Sequence, residues 1–86
     1  MHIRVRYFAA LRETVGREEE TVELSEGTDV AAVRDILATR YPALATLLPR
    51  CVTAVNRAYV AANTVLQPGD ELVFVPPLGG GTQWQR

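Results

Sequence analysis

Lysine is missing from this chain of 86 residues, and its nine basic residues are all arginine. Genomic base composition or selection for heat stability produces such a bias. The chemical consequence holds whatever its origin: no side chain offers an amine for acylation, and only the α-amine of the first residue could be drawn into an amide. Cysteine occurs once, at Cys51, which excludes an internal disulfide and points to a reducing cytoplasm. Cys51 itself reads as a small, semi-buried residue at a strand start rather than a reactive thiolate. Histidine also occurs once. His2 has no second ligand or nucleophile near it and reads as a solvated strand-end residue, so no metal site is expected. Positive charge is not in excess, because nine arginines face ten acidic residues for a net charge of −1. That balance disfavours nucleic acid or an anionic membrane as the main partner, since both need a basic surface. No apolar run approaches a membrane span, and the opening "MHIRVRYFAALRE" lacks the apolar core of a signal peptide.

What is present reads as one globular domain. Hydrophobic residues make up 48% and charged residues 22%, close to globular averages, and the length leaves no room for a second core. "HIRVRYF" alternates, with Ile3, Val5 and Tyr7 on one side and His2, Arg4 and Arg6 on the other, which predicts a half-buried strand. "AALRETVGREE" predicts a short helical turn closed by Gly16. "ETVEL" predicts a second strand with Val22 and Leu24 on its apolar side, joined to the first as a hairpin with a long connection. Glu18, Glu19 and Glu20 read as a solvated turn. In "SEGTDVAAVRDILATRYP", Val30, Val33, Ile36, Leu37 and Tyr41 recur at helical spacing, with Thr28 as N-cap, Asp29 favoured by the positive end of the helix, and Pro42 as the stop. "ALATLL" adds a further turn. "CVTAVN", "AYV" and "DELVFVPP" predict three more strands, the last introduced by the turn Gln67-Pro68-Gly69-Asp70.

One principal helix among five strands gives an α+β class, and a single helix covers one face of a sheet. The opposite face stays open. Alternation puts His2, Arg4, Arg6 and Phe8 there from the first strand and Val73 and Val75 from the last, with Tyr59 able to join them. A large apolar residue such as Phe8, out of phase with polar neighbours, marks a contact surface or a residue tucked under the next turn. Catalytic constellations are absent, and "GGG" lacks the lysine, the hydroxyl residue and the following helix of a phosphate loop. The domain is not expected to act as an enzyme alone.

The chain continues as Pro76-Pro77-Leu78-Gly79-Gly80-Gly81 and then Thr82 to Arg86, so residues 1–77 read as the domain and 78–86 as a glycine-rich tail. Three glycines in a row add nothing to a core. They suit a terminal arm that passes through a channel too narrow for side chains, started stiffly by two prolines. From Val75 to Gly81 such an arm reaches about 20 Å at roughly 3.3–3.6 Å per residue.

Phe8-Ala9-Ala10-Leu11-Arg12-Glu13 with Gly16, Ala54-Val55-Asn56, Leu66-Gln67-Pro68-Gly69-Asp70-Glu71-Leu72, and Pro76-Pro77 ahead of the glycines carry a resemblance. Together they resemble the MoaD-like branch of the ubiquitin-like sulfur carriers (the MoaD/ThiS family), whose members serve as small subunits of molybdopterin synthase. The likeness runs in register from residue 1 to Gly81. It implies a β-grasp fold, with a mixed sheet of about five strands and one main helix on one face. It also implies a chemistry. An E1-type activating enzyme (MoeB-like) adenylates the terminal glycine carboxylate with ATP and magnesium, a sulfurtransferase supplies sulfur, and the resulting thiocarboxylate enters a large subunit (MoaE-like) to build the dithiolene of molybdopterin. The carrier binds no cofactor. The family's partner-binding residues fall on Phe8, Tyr59 and Val75, with Pro76 and Pro77 leading into the tail, Gly79 and Gly80 within it, and Gly81 as the reactive terminus.

The departure is the stretch after Gly81. Family members usually stop there, and a glycine in amide linkage with Thr82 cannot be adenylated. Three readings stay open: removal of Thr82–Arg86 by a peptidase of the JAMM type, a leftover of cloning, or a copy that has lost carrier function. The acceptor is open too. The same activated tail serves thiamin, cysteine or tRNA thiolation, a ubiquitin-like modifier joins lysines of other proteins, and a plain interaction module would use no tail chemistry.

Overall fold

The computed structural model describes residues 1–76. Strand β1 (His2–Tyr7) is followed by helix α1 (Ala9–Val15), strand β2 (Glu19–Glu23), helix α2 (Val30–Arg40), two 3-10 turns (Pro42–Leu44 and Leu48–Arg50), and strands β3 (Val52–Val55), β4 (Ala58–Val60) and β5 (Glu71–Val75). They form one five-stranded sheet in the order β2-β1-β5-β3-β4. β1 pairs antiparallel with β2 and parallel with β5, and β3 is antiparallel to both β5 and β4. The first and last strands therefore lie side by side at the centre of a mixed sheet, which is the expected β-grasp arrangement.

The sheet closes on α2. Ile3, Val5 and Tyr7 of β1 and Leu72 and Phe74 of β5 are almost wholly buried, as are Val30, Val33 and Leu37 of the helix. Leu11 from α1 and Leu44 and Leu48 from the 3-10 turns plug the ends of this layer. The stretch "ALATLL" thus supplies its apolar residues through two separate 3-10 turns, because Pro42 and Pro49 stand at the starts of both and prevent a longer helix. Ile36, expected to face the sheet, lies partly buried at the margin of the core.

Several ends differ from expectation for local reasons. α2 is capped by Asp29, whose carboxylate accepts from the Ala32 N–H at 2.9 Å, while Thr28 turns its hydroxyl to the Ser25 carbonyl at 2.6 Å. The remaining free amides at this end are taken by neighbouring chain: Val30 donates to the Thr64 carbonyl at 3.0 Å and Ala31 to that of Ala62 at 2.9 Å. α1 ends as expected at Gly16, whose φ of 87° is left-handed and whose N–H closes on the Arg12 carbonyl at 2.8 Å. β3 and β4 are joined by Asn56 and Arg57, with φ of 51° and 74°, the twist a two-residue hairpin requires. Asn56 is also a bracket. Its amide donates to Asp70 Oδ1 at 2.9 Å, its oxygen accepts from the Glu71 N–H at 3.0 Å, and Asp70 Oδ2 accepts from the Gln67 N–H at 2.8 Å. The Gln67–Asp70 turn is thereby locked to the hairpin. No helix among the described residues is long and apolar enough to cross a membrane.

Candidate functional site

Register decides what the uncovered face of the sheet presents. Val5 lies opposite Leu72 and Tyr7 opposite Phe74 on the helix side, so Arg4 against Glu71 and Arg6 against Val73 fall on the open side. Across β2 the open side adds Glu19, Thr21 and Glu23, and across β3 and β4 it adds Val52 opposite Val75, Ala54 opposite Val73, and Tyr59 opposite Ala54. The face divides in two. On the β2–β1 half, Arg4 Nη2 lies 3.2 Å from Glu71 Oε2 and Arg4 Nη1 3.8 Å from Glu19 Oε1, while Arg6 spans the same two carboxylates at 3.7 and 3.8 Å. His2 sits 3.9 Å from Glu23 at the strand end, exposed as expected. Such exposed pairs add little stability each. They leave the half charged and nearly neutral.

The β5–β3–β4 half is apolar. Tyr59 is 78% exposed and Val52 53% exposed, with Val73 and Val75 half-buried on the neighbouring strand β5. Large side chains left this open on adjacent strands form a continuous surface suited to a protein partner. Phe8 stands at the end of both halves. It is not in the strand, which stops at Tyr7, but occupies the N-cap position of α1, 38% exposed, with the Arg6 guanidinium carbon 5.4 Å from its ring centroid. Because Tyr7 pairs with Phe74, Phe8 and Val75 come to the same end of the sheet. Phe8, Tyr59 and Val75 thus share one face, and Pro76 follows Val75 directly. Pro77, Gly79, Gly80, Gly81 and Thr82–Arg86 lie outside the described residues. Val52 and Ala54 were not anticipated on this face. In "CVTAVN" apolar residues occupy both phases, so alternation gives no direction, and only pairing with Val75 and Val73 does.

A second cluster contradicts the sequence expectation. Glu20 is no solvated turn residue: its side chain is 7% exposed. It accepts from the Tyr7 hydroxyl and from the Tyr41 hydroxyl at 2.9 Å, and Arg40 Nη1 reaches its other oxygen at 3.3 Å with Arg17 at 3.9 Å. The two phenol rings meet edge to face at 6.5 Å. Burial, then the bond to the Glu20 carboxylate, pushes the Tyr7 phenol far above its ordinary range and raises that of Tyr41 as well. The signal was in the strand phase, since Glu20 alternates with Val22 and Leu24. Lying beneath the helix side, this cluster ties β1, β2 and the end of α2 together.

Cys51 is buried, and burial pushes its thiol up against the opposing pull of Arg34 while Sγ donates to the Leu47 carbonyl at 3.4 Å. It has the character of an inert structural thiol. Among the described residues no group of three or more His, Cys, Asp or Glu is gathered as for a metal ion.

Comparison with known proteins bears on this face. The sequence model of the ThiS family matches residues 5–81. The chain is 39% identical over 83 residues to the molybdopterin synthase sulfur carrier subunit of Chlamydomonas reinhardtii, covering 94% of this chain and 100% of that one. Its fold matches the small archaeal modifier protein 1 (SAMP1) of Methanosarcina acetivorans with a TM-score of 0.81 at 26% identity, over 93% of this chain and 96% of the other. It also matches a chain in the complex of subunits 1 and 2 of the molybdopterin-converting factor from Helicobacter pylori, with a TM-score of 0.68 at 26% identity over 91% and 96%.

Proposed function

The chain belongs to the ThiS family, and from that premise we propose that it is the sulfur-carrier subunit of a molybdopterin synthase, donating sulfur in molybdenum cofactor biosynthesis. One observation carries the reading. The apolar half of the open face includes β5, the strand that runs directly into Pro76 and the glycine arm. A partner that docks on Tyr59, Val52 and Val75 receives the arm at the edge of its own footprint.

The chemistry follows from what a carboxylate needs. It is a poor electrophile, so the Gly81 carboxylate attacks the α-phosphate of ATP in a magnesium-dependent activating enzyme, releasing pyrophosphate. The outer sulfur of a persulfide on a sulfurtransferase then displaces AMP to form an acyl disulfide. A thiol cleaves its S–S bond, taking the sulfurtransferase sulfur into a new disulfide and leaving the thiocarboxylate. The carrier's own residues supply the docking face and a terminus without side-chain obstruction. The assembly of two subunits of the molybdopterin-converting factor in Helicobacter pylori supports a large subunit as the receiving partner. The family match ends at Gly81, which supports Gly81 as the working terminus and a peptidase of the JAMM type that cuts between Gly81 and Thr82. We place these steps in the cytoplasm.

A chain ending at Gly81, given a MoeB-like enzyme, ATP, magnesium and a sulfur donor, should exchange one oxygen for sulfur, read by intact mass. The chain continuing to Arg86 should not. Equal activation of both without cleavage would overturn Gly81 as the terminus. Likeness to SAMP1 favours a second reading as a protein modifier. Capture of the activated chain on lysines of other proteins, with no transfer of sulfur to a pterin precursor, would select it.

A further inference from the structure

Phe8 is followed directly by a stretch of backbone under strain. Tyr7, on one side of it, is buried with its hydroxyl on Glu20, and Leu11, three residues further, is fully buried and donates its N–H to the Phe8 carbonyl at 3.0 Å. Phe8 keeps extended backbone (φ −122°, ψ 154°) and points away from Tyr7 by alternation, so the chain must reverse directly behind it to return Leu11 to the core. The reversal falls on Ala9, whose φ is 51°. Residues with a Cβ rarely take this left-handed conformation, and glycine takes it freely. A strained non-glycine residue persists only where its surroundings hold it, and such residues gather at functional sites. Ala9 is itself exposed, so the methyl group fills no cavity that would account for it. Beneath the ring, Arg6 forms a shelf 5.4 Å from the centroid, braced by Glu19 and Glu71 on the two adjacent strands.

We propose that Ala9 is a positioning residue for the docking face: its restricted left-handed backbone holds Phe8 in the orientation a partner meets, with Arg6 supporting the ring from below. The proposal rests on the reading of the open face as the surface for the large synthase subunit. Glycine at residue 9 would keep the turn but release the torsional restriction, so Phe8 would have to be ordered at each encounter. Asparagine, which tolerates the left-handed region while remaining restricted, would preserve the aim.

The test is a double-mutant cycle in the full chain, titrated against the large molybdopterin synthase subunit of the same organism, with urea unfolding measured in parallel. Phe8→Ala should weaken binding roughly 30-fold or more, as for a buried aromatic anchor. Ala9→Gly should weaken it about 3- to 10-fold, the range for ordering one side chain and its backbone on binding, with an unfolding midpoint at or above that of the parent. Ala9→Asn should retain parental affinity. In the Phe8→Ala background, Ala9→Gly should change affinity less than about twofold, because its effect passes through the ring. An equal loss from Ala9→Gly in both backgrounds, or unaltered affinity in the parent, overturns the positioning role. If Phe8→Ala itself leaves binding unchanged, it is the docking surface that fails.

Discussion

Glu20 shows how much a single buried carboxylate can organise. It is shared by two phenols and two arginines drawn from β1, from the approach to β2 and from the end of α2. Glu20→Ala leaves the buried Tyr7 hydroxyl without an acceptor, and we expect a loss on the order of 2–4 kcal/mol in urea unfolding from hydrogen bonds to a charged group and an orphaned donor. Tyr41→Phe, at a more accessible ring, should cost less. The same contacts give a pH dependence whose sign is fixed. Both phenols are raised in the folded chain, whereas in the unfolded chain they ionise near pH 10. Their stabilisation is therefore complete below about pH 10 and is lost as pH rises above it, for Tyr7 by up to about 1.4 kcal/mol per pH unit. Tyrosinate absorbance followed through an alkaline titration should show ionisation and unfolding arriving together. Ionisation of Tyr7 in a folded chain near its ordinary value would contradict the buried arrangement. A run of three acidic residues reads as surface by composition, and only strand phase singles out its third member.

At the scale of elements, α2 was legible along its length and less so at its ends. Apolar spacing identified Val30, Val33 and Leu37, all fully buried. The cap moved from Thr28 to Asp29 because two adjacent residues are both good caps, and the choice belongs to the chain at Ala62–Thr64 that clamps the first turn. Leu37→Ala should cost about 2–5 kcal/mol as a core truncation, and Ile36→Ala distinctly less, since Ile36 lies at the margin. Equal losses in chemical unfolding would place the helix in a different rotation. Asp29→Ala should cost about 1 kcal/mol. The Asn56–Asp70 bracket joins two turns separated by 14 residues. Local turn chemistry announced the Gln67–Asp70 turn, but the sequence reading put Asn56 inside a strand, and nothing local announced the connection between the two turns.

For the molecule as a whole, alternation separates a covered face from an open one before any pairing is known. Strand order is different, since which strands become neighbours leaves no trace in a local pattern. The resemblance to a family implied a mixed β-grasp sheet, and the order β2-β1-β5-β3-β4 is seen only in the structure. Val52 joined the site only through its neighbour Val75. Tyr59→Glu places a charge at the most exposed aromatic of the apolar half. It should leave thermal unfolding within about 0.5 kcal/mol of the parent and weaken the large subunit's binding by at least about 2 kcal/mol, as for a central interface residue. Loss of folding instead would show that the ring supports the sheet. The parallel pairing of β1 with β5 also settles how the domain bears mechanical load. β1 starts at one end of the sheet and β5 finishes at the other, with ladders on both flanks of β5. Tension applied to the arm is therefore carried along the strands as shear, spread over many hydrogen bonds at once instead of peeling them singly. A machine that grips the arm loads both ladders of β5 together.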